Sequence, residues 1–278
     1  MKKAIVHGAN IFGKEFYMRS NYIFDICAFI DRGIGEKEFY GIPIYNKFHS
    51  LPDKNVDYIF VAAGDYDGVL REYERILGKE SKTRIMSILY GYQLNKQQQF
   101  FALANEVHRK NIPGAAVELG VHYGDTAKYI NLIFENRKLY LFDTFEGFSE
   151  QDKEYERSLQ TLNETEALKF SFTVNENDVL QRMYYPEQCV IKKGRFPESL
   201  NGLEDTFVFA HIDCDLSKPI HDALEYFYPR LSEGGYICVH DYFSSKYIGV
   251  CKVVRDFADA NGAHMVPVTG YRGAIISK

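Results

Sequence analysis

The sequence has no block of lysine and arginine, no Cys-x-x-Cys pair and no tryptophan. It also has no apolar run approaching the roughly 18 residues that a membrane-spanning helix needs. A net charge of −5 at pH 7, with a pI near 5.9 and no clustered cations, argues against a surface for nucleic acid or anionic membrane. The opening "MKKAIVHGAN" carries two lysines but too short an apolar stretch for a secretory leader. Five cysteines (27, 189, 214, 238 and 251) are odd in number, and Cys27, Cys214 and Cys238 sit in apolar runs, where a thiol is a small hydrophobe. A reduced, cytoplasmic protein is the expectation. The missing tryptophan, beside 21 Tyr and 21 Phe, decides nothing. No internal repeat or low-complexity tract stands out, and 278 residues allow one large core or two smaller ones.

What is present is alternation. Short β-rich runs and helix-period segments follow one another in two series, which predicts parallel sheets with helical crossovers. The first series holds strands in "KAIVHG", "FDICAFID", "VDYIFVAAG" and near "TRIMSIL", with helices from Ile11 to about Ser20 and over "YDGVLREYERILG". A helix over "NKQQQFFALANEVHRKN" breaks at Pro113-Gly114. The polar "YGYQLN" ahead of it sets a boundary near Tyr90, giving domains of residues 1–90 and 91–278. In the second series "AAVELG", "KLYLFD", "CVIKKG", "TFVFAHID" and "YICVHD" are strands, and Asp125 to Phe134 a helix. Ile220, Ala223, Leu224, Phe227, Tyr228 and Leu231 share one helical face, opened by Ser217 and Pro219 and stopped at Gly234-Gly235. "GVCKVVRDFADANG" is a further helix. "HMVPV" and "AIISK" close the chain as a hairpin, so one strand should run antiparallel to an otherwise parallel sheet. The fold class is α/β: the plan of a class I Rossmann-like methyltransferase, preceded by a smaller Rossmann-like α/β domain.

Ligands of open parallel sheets bind beyond the carboxyl ends of the strands. In "VELGVHYGDTAKY", Glu118 ends a strand, Gly120 and Gly124 permit close backbone approach, and Asp125 or Thr126 opens the helix, with His122 and Tyr123 inside the turn. The next strand ends in Asp143, followed by Thr144, about 20 residues beyond the glycines, where a carboxylate can accept both ribose hydroxyls. One glycine of the dinucleotide fingerprint is missing. Glu118 is unfriendly to phosphate but suits a cation, and S-adenosylmethionine, with its sulfonium and ammonium, is such a ligand. Such glycines can also be mere turn formers; Asp143 at this spacing favours a nucleoside site.

Two further strands end in chemistry, Asp213 and Asp215 after one and His240 and Asp241 after the next. Adjacent strands would bring Asp213, His240 and Asp241 to one divalent cation. Hard oxygen ligands suit Mg2+, whereas an imidazole suits Mn2+ or another transition metal; His240 can instead stand off the metal as general base. Asp215 serves equally well as a helix cap, and His211 reads as a packed, hydrogen-bonded histidine. Arg195 reaches the same sheet edge, to meet an anionic substrate or only water. The acidic stretch from Glu146 to Asn177 is too long for a simple loop and reads as a water-excluding lid.

The run "VELGVHYGDTAKYIN", "LYLFDTFEGF", "VLQRMYYPEQCVIKKGRFPESL", "FAHIDCDLSKPIHDALEYFYPRLSEGGYICVHDYF" resembles the macrocin-type sugar O-methyltransferases, the TylF/MycF family, in order and spacing from about Gly114 onward. The resemblance implies an enzyme dependent on S-adenosylmethionine and a divalent cation. Its acceptor would be a hydroxyl of a sugar or sugar-containing metabolite, in a surface-polysaccharide or natural-product pathway. It implies cofactor contacts from Glu118, Gly120 and Asp143. It also implies metal ligands in "HIDCD" and at the following strand end, where this chain has His240-Asp241 in place of two consecutive acids. Whether the enzyme is a homo-oligomer stays open.

At the front, "HGANIFGKEFY" with Asp31 is a loose dinucleotide-type turn in which Asn10 stands where a middle glycine would be. With "FIDRGIGEKEFYGIPIYN" and "VDYIFVAAG" it resembles the nucleotide-sugar-binding module of bacterial sugar acetyltransferases over about residues 1 to 88. That implies nucleotide-sugar capture, or a degenerate module for docking or dimerisation. Two rival readings cover the whole chain. One is an NAD(P)-dependent sugar oxidoreductase, for which no convincing Tyr-x-x-x-Lys pair is found; the other is a nucleotide-sugar-binding scaffold with an inactive methyltransferase domain.

Overall fold

The alternation builds two separate sheets. The computed structural model describes residues 1–78, 81–88, 93–162 and 173–278. In the first sheet, β1 (Lys2–His7) lies between β2 (Phe24–Ile30) and β5 (Tyr58–Val61), which is where strand order reverses. Outside them stand β4 (Ile42–Tyr45) and β3 (Glu38–Phe39) on one side and β6 (Arg84–Ser87) on the other. All pairings are parallel except β3 with β4. That small hairpin was not legible as strands. Its two-residue corner, Tyr40 and Gly41, has positive φ at both positions (52° and 75°), the primed turn that matches strand twist.

Helices α1 (Ile11–Ser20), α2 (Tyr66–Leu77) and α3 (Gln93–Arg109) complete this unit. The boundary expected near Tyr90 lies outside the described residues; the two compact units are Met1–Arg109 and Lys110–Lys278. α3 goes with the first because it packs on α1: Phe101 meets Phe16 edge-on at 5.4 Å, and the Tyr22 N–H donates to Asn105 Oδ1 at 2.7 Å.

The second unit has the strand order β12-β13-β11-β10-β7-β8-β9. Its strands are β7 (Ala115–Leu119), β8 (Leu139–Asp143), β9 (Cys189–Lys193), β10 (Phe207–Ile212), β11 (Leu231–Val239), β12 (His264–Val268) and β13 (Gly273–Ser277). As the terminal hairpin predicts, β13 runs antiparallel to β11 and β12 in an otherwise parallel sheet. Among the described residues its α-helices are α4 (Ala127–Ile133), α5 (Glu150–Ser158), α6 (Glu176–Gln181), α7 (Ser217–Phe227) and α8 (Gly249–Asn261). One sheet face, with Val117, Phe142, Ala210, Ile212 and Ile237, packs against Ile220, Leu224 and Phe227 of α7 and Val250, Val254 and Phe257 of α8.

α7 stops earlier than expected. Proline at 229 cannot extend a helix and disfavours it in the residue before, so α7 ends at Phe227 and Leu231 starts β11. Gly234-Gly235 falls inside that strand, where its register with β10 slips. Nor does Ser217 cap α7: Leu216 occupies the N-cap, and the Ser217 N–H donates instead to Glu156 Oε1 of α5 at 2.5 Å. Among the described residues no helix is long and apolar enough to cross a membrane.

Candidate active site

Four strands of the second sheet are followed, two or three residues on, by a non-glycine residue with positive φ. These are His122 after β7, Phe145 after β8, Asp215 after β10 and Asp241 after β11, with φ of 53°, 58°, 65° and 56°. Such conformations cost energy and persist where the surroundings over-determine them, which is commonest at functional sites. All four sit at the carboxyl edge, where open α/β sheets bind ligands.

β10 and β11 are neighbours, with Ile212 opposite Val239, so the residues that follow emerge side by side. The His240 N–H donates to Ile212 O at 2.9 Å and the Asp213 N–H to Leu119 O at 2.8 Å, extending the ladders past the strand ends. Asp213, His240 and Asp241 thereby each place one ligand atom within 4.8 Å of the others. His240 Nδ1 lies 2.9 Å from Asp213 Oδ1 and 3.1 Å from Asp241 Oδ2. Their side chains are 20%, 12% and 11% exposed, which leaves an approach open. Two carboxylates and one imidazole around a point reachable from solvent fit a divalent cation, and the mixed set suits Mn2+ better than Mg2+.

Asp213 also forms part of the wall of a cavity with Gly120, Asp143, Thr144, Phe145, Phe196 and Leu216. Asp143 is fixed by two backbone donors: the His122 N–H reaches Oδ2 at 2.8 Å and the Phe145 N–H reaches Oδ1 at 2.7 Å. Each oxygen keeps a further lone pair for a ribose hydroxyl. Thr144 donates to Gly147 O at 2.5 Å. At Gly120 (φ 90°) a Cβ would fall 2.2 Å from Asp213 O, so the approach of β7 to the Asp213 backbone requires glycine. Burial holds the His122 imidazole below its ordinary pKa, against the pull of Asp143.

The other sequence candidates stand elsewhere. Tyr123 is half-exposed, and its carbonyl accepts from Arg182 Nη1 at 2.6 Å. Asp125 pairs with Arg182 at 3.0 Å and Lys128 at 3.6 Å, and Thr126 takes the N-cap of α4 with no side-chain bond. None of the three lines the cavity, and neither does Glu118. Glu118 is buried, with Oε1 2.8 Å from Nδ1 of the equally buried His211. Asp215 is not the cap of α7. Arg195 does line the cavity but spends its guanidinium on Asp152 (2.7 Å) and Glu198 (2.6 Å), and the Asp152 bond raises its pKa.

The start of the acidic stretch borders the cavity through Phe148, Ser149 and Asp152, and α5 is pinned there by Arg195 and by the Glu156–Ser217 bond. Residues 163–172 of that stretch lie outside the described residues. Tyr271, in the loop between β12 and β13, carried no signal in the sequence. Its ring is buried 5.6 Å from that of His240 and 6.2 Å from that of His211, and burial pushes its phenol pKa well up.

The fold has known counterparts. The O-methyltransferase NovP superposes with a TM-score of 0.54 at 18% identity, covering 66% of this chain and 80% of NovP. This sheet order and likeness define the class I Rossmann-like methyltransferase fold. A model of the macrocin-O-methyltransferase (TylF) family matches residues 72–269, and the chain belongs to that family. It is an O-methyltransferase. Among its relatives is the 8-demethyl-8-(2,3-dimethoxy-alpha-L-rhamnosyl)-tetracenomycin-C 4'-O-methyltransferase of Streptomyces olivaceus. The two are 24% identical over 186 residues, 64% of this chain and 70% of the relative. Another is the mycinamicin III 3''-O-methyltransferase of Micromonospora griseorubida, 24% identical over 166 residues, 55% of this chain and 64% of the relative.

Proposed function

We propose that this enzyme transfers a methyl group from S-adenosylmethionine to a hydroxyl of a sugar or sugar-containing small molecule, assisted by a divalent cation. A surface-polysaccharide or natural-product pathway is the setting. The observation that carries the reading is that Asp213 belongs both to the cavity wall with Gly120 and Asp143 and to the three-donor group with His240 and Asp241. The rhamnosyl group named for the Streptomyces relative supports a sugar acceptor.

Asp143 receives the ribose hydroxyls, Gly120 and Thr144 border the donor, and Tyr123, Asp125 and Thr126 form the outer part of the same turn. Phe145, Phe196 and Leu216 supply apolar walls that keep water from the sulfonium. When bound, a divalent cation lowers the pKa of an oxygen it touches. Asp213 and Asp241 would hold that cation, with Mn2+ or Mg2+ as the candidates, and His240 would complete the set through Nδ1. A second reading has His240 accept the hydroxyl proton. It is favoured by the two carboxylates flanking Nδ1, partners of the kind that orient a general base.

For the first unit we infer a docking or structural role in preference to nucleotide-sugar or NAD(P) capture, because the N–H groups at the start of α1 are already taken by Asn10 and Asp31. That none of the five cysteines is in a disulfide supports a cytoplasmic setting.

The test combines calorimetric titration with S-adenosylmethionine and methyl transfer to a panel of nucleotide sugars and glycans. Asp143→Ala should weaken donor binding by about tenfold. Asp213→Asn and Asp241→Asn should lower cation-stimulated turnover by about 100-fold with donor affinity retained. Turnover that survives both substitutions in chelator removes the metal from the mechanism.

A further inference from the structure

The sequence of α5, EQDKEYERS, has a single apolar side chain, Tyr155, and that one is 40% exposed. The buried residues of the helix are instead Asp152 and Glu156, one turn apart on the same face. Helices are ordinarily fastened by an apolar face, so α5 is fastened by whatever these two carboxylates bind.

Each carboxylate has its partner in a different loop. Arg195, in the loop after β9, donates to Asp152 from Nη2 at 2.7 Å and from Nε at 3.1 and 3.2 Å. The Ser217 N–H, in the segment after β10, donates to Glu156 Oε1 at 2.5 Å. Ser149 adds to the first anchorage by accepting from the Asp152 N–H at 3.1 Å. In the sheet, β10 and β9 flank the adjacent pair β7 and β8, whose ends bring Gly120 and Asp143 to the cavity. α5 therefore leaves β8 and is tied on both sides of the two strands that border the cavity. Phe148, Ser149 and Asp152 line that cavity, and Glu156 is not among its lining residues. Released into water, both carboxylates regain their hydration and no buried apolar surface is exposed, so letting α5 go costs little.

We propose that Asp152 and Glu156 are positioning residues that strap α5 across the methyl-donor site, so that two polar latches govern how tightly the donor is held. The inference rests on reading the cavity as the site of S-adenosylmethionine.

The full-length protein is titrated with S-adenosylmethionine in a calorimeter, and amide hydrogen exchange of α5 is followed with and without it. In the wild-type protein the donor should slow exchange across α5 by about tenfold. Glu156→Ala cuts one latch without changing a residue that lines the cavity. It should weaken donor binding by about tenfold and speed exchange in α5. Glu156→Gln keeps an acceptor for the Ser217 N–H and should stay within about threefold of wild type. If Glu156→Ala does not fold, Asp152→Ala carries the test with the same losses expected, since Arg195 keeps Glu198 as a partner. Wild-type donor affinity in the folded alanine variant overturns the proposal, because a merely structural strap would lose protection without losing donor. Equal losses in Glu156→Gln and Glu156→Ala, or exchange in α5 that ignores the donor, overturn it as well. Absence of S-adenosylmethionine binding by the wild-type protein is a separate failure, which overturns the donor reading and the strap with it.

Discussion

In both units the strand at which the sheet order reverses is followed by a glycine with positive φ and hands over to a helix, Gly8 before α1 and Gly120 before α4. The next strand in each case supplies a carboxylate that accepts a backbone N–H from the turn: Asp31 from Ala9 at 2.9 Å, Asp143 from His122 at 2.8 Å. The difference lies in the helix start. Asn10 fills the first turn of α1, accepting from the Phe12 and Gly13 N–H groups at 3.0 and 3.1 Å and donating to Ala62 O at 2.6 Å. Thr126 makes no side-chain bond at the start of α4, and Gly120 and Asp143 border a cavity. A glycine turn and a following acid are thus common to a turn packed with its own side chains and to one that opens onto a site. The cap tells them apart.

The largest effect expected of any change to this pattern is at Gly120. Gly120→Ala meets Asp213 O and forces an L-residue into left-handed backbone, which should cost roughly 3 kcal/mol and abolish S-adenosylmethionine binding. Gly8→Ala, whose Cβ would fall 2.9 Å from Ala62 O, should lower stability but leave methyl transfer intact below the unfolding temperature. Thermal unfolding followed alongside donor binding checks both, and equal losses of activity would erase the distinction.

A smaller effect separates the caps. Asn10→Ala should destabilise by about 1 kcal/mol, and Thr126→Ala by no more than a few tenths. Denaturant titration decides, and a matching cost at Thr126 breaks the comparison.

The smallest effect concerns pH. Burial holds the His7 pKa below the ordinary value near 6.5, beside Tyr73 OH at 2.9 Å. Below that value the unfolded chain binds the proton more readily than the folded one, so stability falls as pH drops from about 6.5 toward the depressed folded value. His7→Gln should flatten that dependence, by under about 1 kcal/mol between pH 7 and 5.5. An unchanged slope would assign it elsewhere, His122 being the next candidate in the same direction.

How far the sequence reached depends on the distance over which each feature is decided. The parallel strands and the terminal hairpin were legible because period and turn chemistry are local. The β3–β4 hairpin was not, since Tyr40 is an unusual residue for a left-handed corner. Asp213, His240 and Asp241 could be singled out because each follows an apolar strand. Tyr271 could not, because an isolated Tyr in a Gly-bearing loop looks the same whether it is exposed or buried.

By itself, then, the sequence determined most of the strands and helices, though not the β3–β4 hairpin or the end of α7, and which acids follow the strands, since alternation, caps and breakers act within a few residues. Only the tertiary structure decided that Glu118 meets His211, that Glu156 takes the Ser217 N–H, and that Arg195 is held by Asp152. Each of these pairs joins residues far apart in the chain. Which one forms follows from strand order and register, and those are settled by the packing of the whole unit.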